Sequence, residues 1–196
     1  IIEEINKKTP TIIAGEKKGK KLFSLEGDNT RPTLDRVKES IFNIIQFDLP
    51  SSAFLDLFGG SGQMALEALS RGAKYALICD SNKEAVSIIK KNVEACGYKD
   101  SAEIIFSDYS SAIRRLSGKK FDIVFLDPPY HNNLAVLAFE QLISEKLLKS
   151  GAKVIIETAA DEKIPESFCE FSLQKRYIYG KIKIEVFTDI NNKTES

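Results

Sequence analysis

An acid, two prolines and an aromatic ring stand in a row at Asp127-Pro128-Pro129-Tyr130. The prolines stiffen the backbone and remove two N–H donors, while the carbonyls stay as acceptors. With a carboxylate before them and a ring after them, such a corner can accept hydrogen bonds from an NH₂ group and stack on a flat ring. An exocyclic amine on a nucleobase offers both. Asp-Pro is also a common turn opener, so the composition alone fits a rigid turn as well. Context adds force. Phe121-Asp122-Ile123-Val124-Phe125-Leu126 reads as a buried parallel strand. The corner then lies just past a strand's carboxyl end, where open α/β sheets bind ligands. His131 follows it and reads as a loop residue, because nothing here requires a base near pH 7.

A second stretch runs Phe54-Leu55-Asp56-Leu57-Phe58-Gly59-Gly60-Ser61-Gly62, from a strand through three glycines into a helix. Glycines let a backbone approach a ligand closely, and a helix N-terminus offers free N–H groups. Gly60-Ser61-Gly62-Gln63-Met64-Ala65 fits the dinucleotide fingerprint, with Asp80 placed to hold ribose hydroxyls. A nicotinamide oxidoreductase is therefore one reading. Two further acids argue against it. Asp56 precedes the glycines and would repel a pyrophosphate. Asp108, followed by Tyr109, ends a third strand. Four carboxylates at one sheet edge (Asp56, Asp80, Asp108, Asp127) suit a ligand with a sulfonium, an ammonium, a ribose diol and an adenine amine. S-adenosylmethionine is that ligand. Phe58, Gly59, Gly60, Ser61, Gly62 and Tyr109 complete the expected cofactor set, and no metal is needed.

These groups must be positioned by an alternation of strands and helices. Strands are predicted over 53–57, 75–79, 103–106, 121–126 and 153–157. Helices are predicted over 64–71, 83–95, 109–116 and 134–147. This pattern implies a parallel sheet covered on both faces. Two strand-like runs at 170–177 and 181–187, joined through Tyr179-Gly180, add an antiparallel edge. Ahead of them, 11–14 and 21–25 read as a hairpin with a basic tip, carrying Lys17, Lys18, Lys20 and Lys21. A helix follows, with Leu34, Val37, Ile41, Ile44 and Ile45 at helical spacing and Thr33 or Asp35 as its cap. The tip lysines, with Arg31 and Arg36, are candidate phosphate contacts or solvated surface. The expected division is an extension over 1–32, a main domain over 33–190 and a tail over 191–196.

The 196 residues suit one domain. With 28 basic and 28 acidic residues, no global field draws the chain onto nucleic acid, so any basic surface is local. Cys79, Cys96 and Cys169 are odd in number and lack C-x-x-C spacing, which suits a reducing, cytoplasmic compartment. No apolar run is long enough to span a membrane.

The chain resembles the RsmD family of class I methyltransferases, from about residue 11 to 188. The resemblance rests on Ile12-Ile13-Ala14-Gly15, on Arg31-Pro32-Thr33-Leu34-Asp35-Arg36-Val37-Lys38-Glu39, on the glycine loop, on Leu66-Glu67-Ala68-Leu69-Ser70-Arg71-Gly72-Ala73 and on the Asp127 corner. It implies an α/β, Rossmann-like sheet of order 3-2-1-4-5-7-6 with the last strand antiparallel. The implied activity is methyl transfer to guanine N2 in 16S ribosomal RNA of an assembled or late-assembly small subunit, by a monomer. Asp127, Pro128, Pro129 and Tyr130 would be catalytic. Adenine N6 of DNA is the alternative acceptor, since Asp-Pro-Pro-Tyr serves such enzymes too. Gly59 departs from the alanine usual in the family, and the tip is richer in lysine than in arginine.

Overall fold

Along each central strand, alternate residues enter different apolar layers. Phe54, Ala76, Ile78, Ile123, Phe125 and Ile155 belong to one core. Leu55, Leu77, Cys79, Val124, Leu126, Val154 and Ile156 belong to the other. This period of two on both faces is what a sheet covered by helices on each side requires. The computed structural model describes residues 9–25 and 32–189. Its elements are α1 (Pro32–Ile44), β1 (Ala53–Asp56), α2 (Gln63–Ser70), β2 (Tyr75–Asp80), α3 (Lys83–Cys96), β3 (Ala102–Phe106), α4 (Tyr109–Arg115), β4 (Phe121–Leu126), α5 (Leu134–Ser144), β5 (Leu148–Ala159), β6 (Ser167–Phe168), β7 (Phe171–Tyr179) and β8 (Ile182–Asp189).

The strands form one sheet of order β3-β2-β1-β4-β5-β8-β7-β6. β1 to β5 pair in parallel, and β8 lies antiparallel between β5 and β7. This is the expected order with one addition, the two-residue β6 on the outer edge of β7. β5 also begins at Leu148, earlier than its apolar run suggests, because a register shift lets Leu148 pair with Phe121 before Lys153 pairs with Ile123. α1 begins at Pro32, so Thr33 lies inside it and Asp35 falls in its first turn.

The predicted hairpin is less regular than its sequence pattern. Its arms share a single bridge, Thr11 to Lys21. A few further bonds join the arms, from the amides of Ile12, Gly19 and Leu22 to the carbonyls of Lys20, Ile12 and Pro10, while several other backbone groups find partners in the body of the protein. The amides of Ile13 and Ala14 donate to the two carboxylate oxygens of Glu67 at 2.8 and 3.0 Å. Asn92 accepts from the Phe23 amide at 2.7 Å and donates to its carbonyl at 2.9 Å. Gly15 comes so close to α2 that a Cβ there would lie 1.8 Å from the Ser70 carbonyl oxygen. Ile12 and Leu22 are buried in the same core as Val37 and Ile41 of α1 and Ile45 just beyond it. The described part of the extension is thus sewn to α2 and α3.

Candidate active site

The alternation that builds the two cores also aims the acids. Asp56, Asp80, Asp127 and Glu157 continue the positions of Phe54, Ile78, Phe125 and Ile155, so all four emerge on the face covered by α1, α2 and α3. Leu126 pairs with Ile156, which brings Asp127 and Glu157 to neighbouring points on adjacent parallel strands. A cavity of about 200 Å³ opens at this edge. Val37, Lys38 and Ile41 of α1 form one wall; Asp56, Phe58, Gly59, Gly60 and Ser61 form another; Asp127 and Glu157 close the far end.

The glycine loop is fixed from three directions. The Gly59 amide donates to the Cys79 carbonyl and the Gly62 amide to the Gly59 carbonyl, at 2.8 and 2.7 Å. Asp80 accepts from the amides of Gly60 and Asn82, both at 2.8 Å. Asn92 donates to the Ser61 carbonyl at 2.8 Å, so one side chain clamps both the loop and the extension. Gly60 and Gly62 have φ of +56° and +78°, which only glycine adopts readily. A Cβ at Gly60 would meet nothing within 4 Å, which leaves the loop open on the cavity side. Gly59 differs: a Cβ there would lie 2.5 Å from Cγ2 of Ile78. In this chain Ile78 fills the space that a methyl at position 59 would take.

Asp56 is 1% exposed and accepts from the Phe58 amide at 3.2 Å. Burial pushes its carboxyl up to about 7, against the pull of that hydrogen bond. Asp108 does a different job. It caps α4 by accepting from the Ser111 amide at 2.9 Å, and that bond holds its carboxyl below the usual range. Tyr109 packs its ring against Phe58, with centroids 5.7 Å apart. In the corner Pro128 is buried, while Pro129 and Tyr130 are exposed. The Tyr130 hydroxyl donates to Glu157 Oε1 at 3.2 Å. Burial raises both groups, and the neighbouring Glu157 carboxylate raises Tyr130 further. His131 faces Asp161 and Glu162 in the loops outside the cavity.

Six expected residues therefore meet on one cavity: Asp56, Phe58, Gly59, Gly60, Ser61 and Asp127. Asp80 joins them through Gly60. Asp108 and Tyr109 stand at the β3–α4 junction and are not on its lining. Lys18, Lys20, Lys21 and Arg36 are exposed, and Lys17 lies over the Tyr98 ring at 5.8 Å. Arg31 lies outside the described residues. Among the lining residues outside the expected set, two are charged, Lys38 and Glu157. Glu157 had a signal: Val154-Ile155-Ile156-Glu157 ends in an acid as Val124-Phe125-Leu126-Asp127 does. Lys38 had none, since its partner Glu67 at 3.3 Å lies far along the chain. Among the described residues, no His, Cys, Asp or Glu cluster is arranged to hold a metal ion, and no helix is long and apolar enough to cross a membrane.

Residues 11–188 match the model of a protein family described as Conserved hypothetical protein 95. The chain belongs to this family, the RsmD methyltransferases. It is 38% identical over 162 residues to ribosomal RNA small subunit methyltransferase D of Haemophilus influenzae, a match covering 80% of this chain and 83% of that protein. The protein of the same name from Escherichia coli is 29% identical over 176 residues, covering 90% and 88%. Among solved structures, HI0767 of Haemophilus influenzae superposes with a TM-score of 0.80 at 32% identity, covering 92% of this chain and 98% of that one. YhhF of Escherichia coli gives 0.81 at 28% identity, with the same coverage. The sheet is that of a Rossmann-like class I methyltransferase.

Proposed function

We propose that this RsmD-family methyltransferase moves the methyl group of S-adenosylmethionine to the exocyclic N2 of a guanine in 16S ribosomal RNA. One observation carries the reading: Asp127, which opens Asp-Pro-Pro-Tyr, lines the same cavity as Asp56 and the glycine loop. Donor and acceptor sites are thereby adjacent. The named relatives, methyltransferases of small-subunit ribosomal RNA, support the substrate class.

The residues fit the cofactor. The open side of Gly60 and the turn through residues 59–62 leave room for a chain to pass. Each Asp80 oxygen already accepts one amide and keeps acceptor capacity for a ribose hydroxyl. Asp56, near 7 by itself, becomes a full carboxylate beside an ammonium group. Asp108 and Tyr109, beyond the lining, would meet the adenine, with Phe58 packed behind Tyr109. Bound in this cradle, S-adenosylmethionine supplies an electrophilic methyl on sulfonium, with a thioether as leaving group.

At the other end Tyr130 stacks on a base swung out of the RNA. The Asp127 carboxylate and the Pro128 carbonyl accept the two N2 hydrogens and turn the nitrogen lone pair toward the methyl. Asp127 is also placed to take the proton that the methylated amine sheds. Most of the rate comes from this positioning, where effective molarities reach roughly 10⁵–10⁸ M. Lys17, Lys18, Lys20, Lys21, Arg31 and Arg36 hold phosphates of the RNA, and a monomer acts in the cytoplasm on an assembled or late-assembly subunit.

The test is transfer from labelled S-adenosylmethionine to small subunits lacking their N2-methylguanines, with the product nucleoside identified by mass spectrometry. N2-methylguanosine at one position is the expected result. Label in DNA adenine, with none in ribosomal RNA, would overturn the acceptor.

A further inference from the structure

The cavity ends in two carboxylates, and the amine-holding corner accounts for one of them. Asp127, directly after β4, and Glu157 of β5 follow the paired residues Leu126 and Ile156, so their backbones lie one strand spacing apart, about 4.8 Å, at the sheet edge. Glu157 is 8% exposed, yet it lines the cavity, and its Oε1 already accepts from the Tyr130 hydroxyl. A buried acid on the wall of this cavity, beside Asp127, imposes a pattern. Ionised carboxylates accept hydrogen bonds and cannot donate. The Watson–Crick edge of guanine presents N1–H and the N2 amine side by side, both donors. Adenine presents its amine beside N1, an acceptor.

We propose that Glu157 selects guanine by accepting the N1–H of the flipped base, next to the amine held by Asp127. This rests on the guanine-N2 reading above and names the residue that enforces it. The Tyr130 hydroxyl and the base N1–H together give Glu157 two donors, which favour its charged form against burial. Tyr130 links the two tasks: its ring stacks on the base while its hydroxyl fixes the carboxylate that reads the base edge. Adenine in the same pose would set its N1 lone pair against Glu157. A buried acceptor facing an acceptor leaves two groups unsatisfied. Sites built this way reject such analogues far more strongly than apolar pockets do.

The probe is small-subunit RNA in which the guanine methylated by the wild-type protein is replaced by 2-aminopurine. That base keeps the 2-amino group but carries a lone pair at N1. Wild-type protein is expected to transfer to it about 10–100-fold less efficiently than to guanine, the size of one buried hydrogen bond left unmade. Glu157→Gln keeps an oxygen for Tyr130 and offers an NH₂ to N1. It should lower kcat/KM for guanine and raise the 2-aminopurine-to-guanine ratio by about 10-fold or more. Glu157→Asp, which keeps the carboxylate, should retain the preference for guanine. Equal wild-type transfer to both bases would overturn the proposal, as would a parallel fall of both substrates in Glu157→Gln. If that variant does not fold, the wild-type ratio and Glu157→Asp still decide. A wild-type protein that methylates no guanine would instead overturn the underlying guanine-N2 reading, so the two failures are distinct.

Discussion

Around Phe139 of α5 the packing is apolar, with the rings of Phe168, Phe171 and Phe187 at centroid distances of 4.5, 5.5 and 5.4 Å, although farther along the same face Lys183 and Glu185 are buried as a pair. Beneath α1, α2 and α3 the sheet buries charge. Glu67 is 0% exposed and meets Lys38, Arg71 and two backbone amides. Asp56, Asn92 and Glu157 are buried on the same face. An apolar layer needs only volume and shape, and each buried ring contributes roughly 1.5–3 kcal/mol. A polar layer needs every group met, and it stays specific only while the partners stay in place. The sheet edge that lines the cavity belongs to the second kind. What the polar face loses in tolerance it gains in fixed acceptors and in a firm anchor for the extension.

Removing one residue from each face tests this contrast. Phe139→Ala should lower unfolding free energy by about 3–5 kcal/mol through an unfilled cavity, with the hairpin amides of residues 12–22 still protected from hydrogen exchange relative to the rest. Glu67→Ala should cost a similar amount, about 3–5 kcal/mol, because Lys38 and Arg71 lose their buried partner. Its distinguishing sign is early exchange at Ile13 and Ala14. Equal protection of the hairpin in both variants would break the comparison.

Asp56 sharpens it through pH. Its folded carboxyl lies at about 7 against an ordinary 3.8. Folding therefore takes up a proton, and the associated stability is fully present below 3.8 and is lost as pH rises through about 7. The change is on the order of 4 kcal/mol. Chemical denaturation of Asp56→Asn across this window should show a flatter profile than wild type. A smaller effect is expected at Asp80. Asp80→Ala should weaken S-adenosylmethionine binding about 10–100-fold by calorimetry, as loss of a hydrogen bond to a charged group predicts. Smallest of all, Lys18→Ala with Lys20→Ala should lower RNA affinity evenly across sequences and reduce the log–log salt slope by about 2.

The division between legible and hidden follows range along the chain. The period of two at 121–126 and the glycines at 59, 60 and 62 are local signals, so the strands and the loop could be read directly, while the sheet order came only through the family resemblance. β6 could not, because two residues carry no periodicity. Nor could the weak ladder of the hairpin, whose Ile13, Ala14 and Phe23 amides go to Glu67 and Asn92, more than fifty positions away. Asp108 looked like Asp80 in sequence, each at a strand end. The structure separates them by partner: Asp80 grips the glycine loop, while Asp108 caps its own helix. Glu157 was readable only by comparing the ends of strands four and five.

We propose that one cavity holds donor and acceptor at separate ends, with Asp127 serving the acceptor. Single-turnover methyl transfer and cofactor calorimetry on Asp127→Ala measure this together. Transfer should fall by about 10³-fold or more, the scale of a misplaced acceptor, with S-adenosylmethionine affinity within a few-fold of wild type. Transfer at the wild-type rate would contradict it.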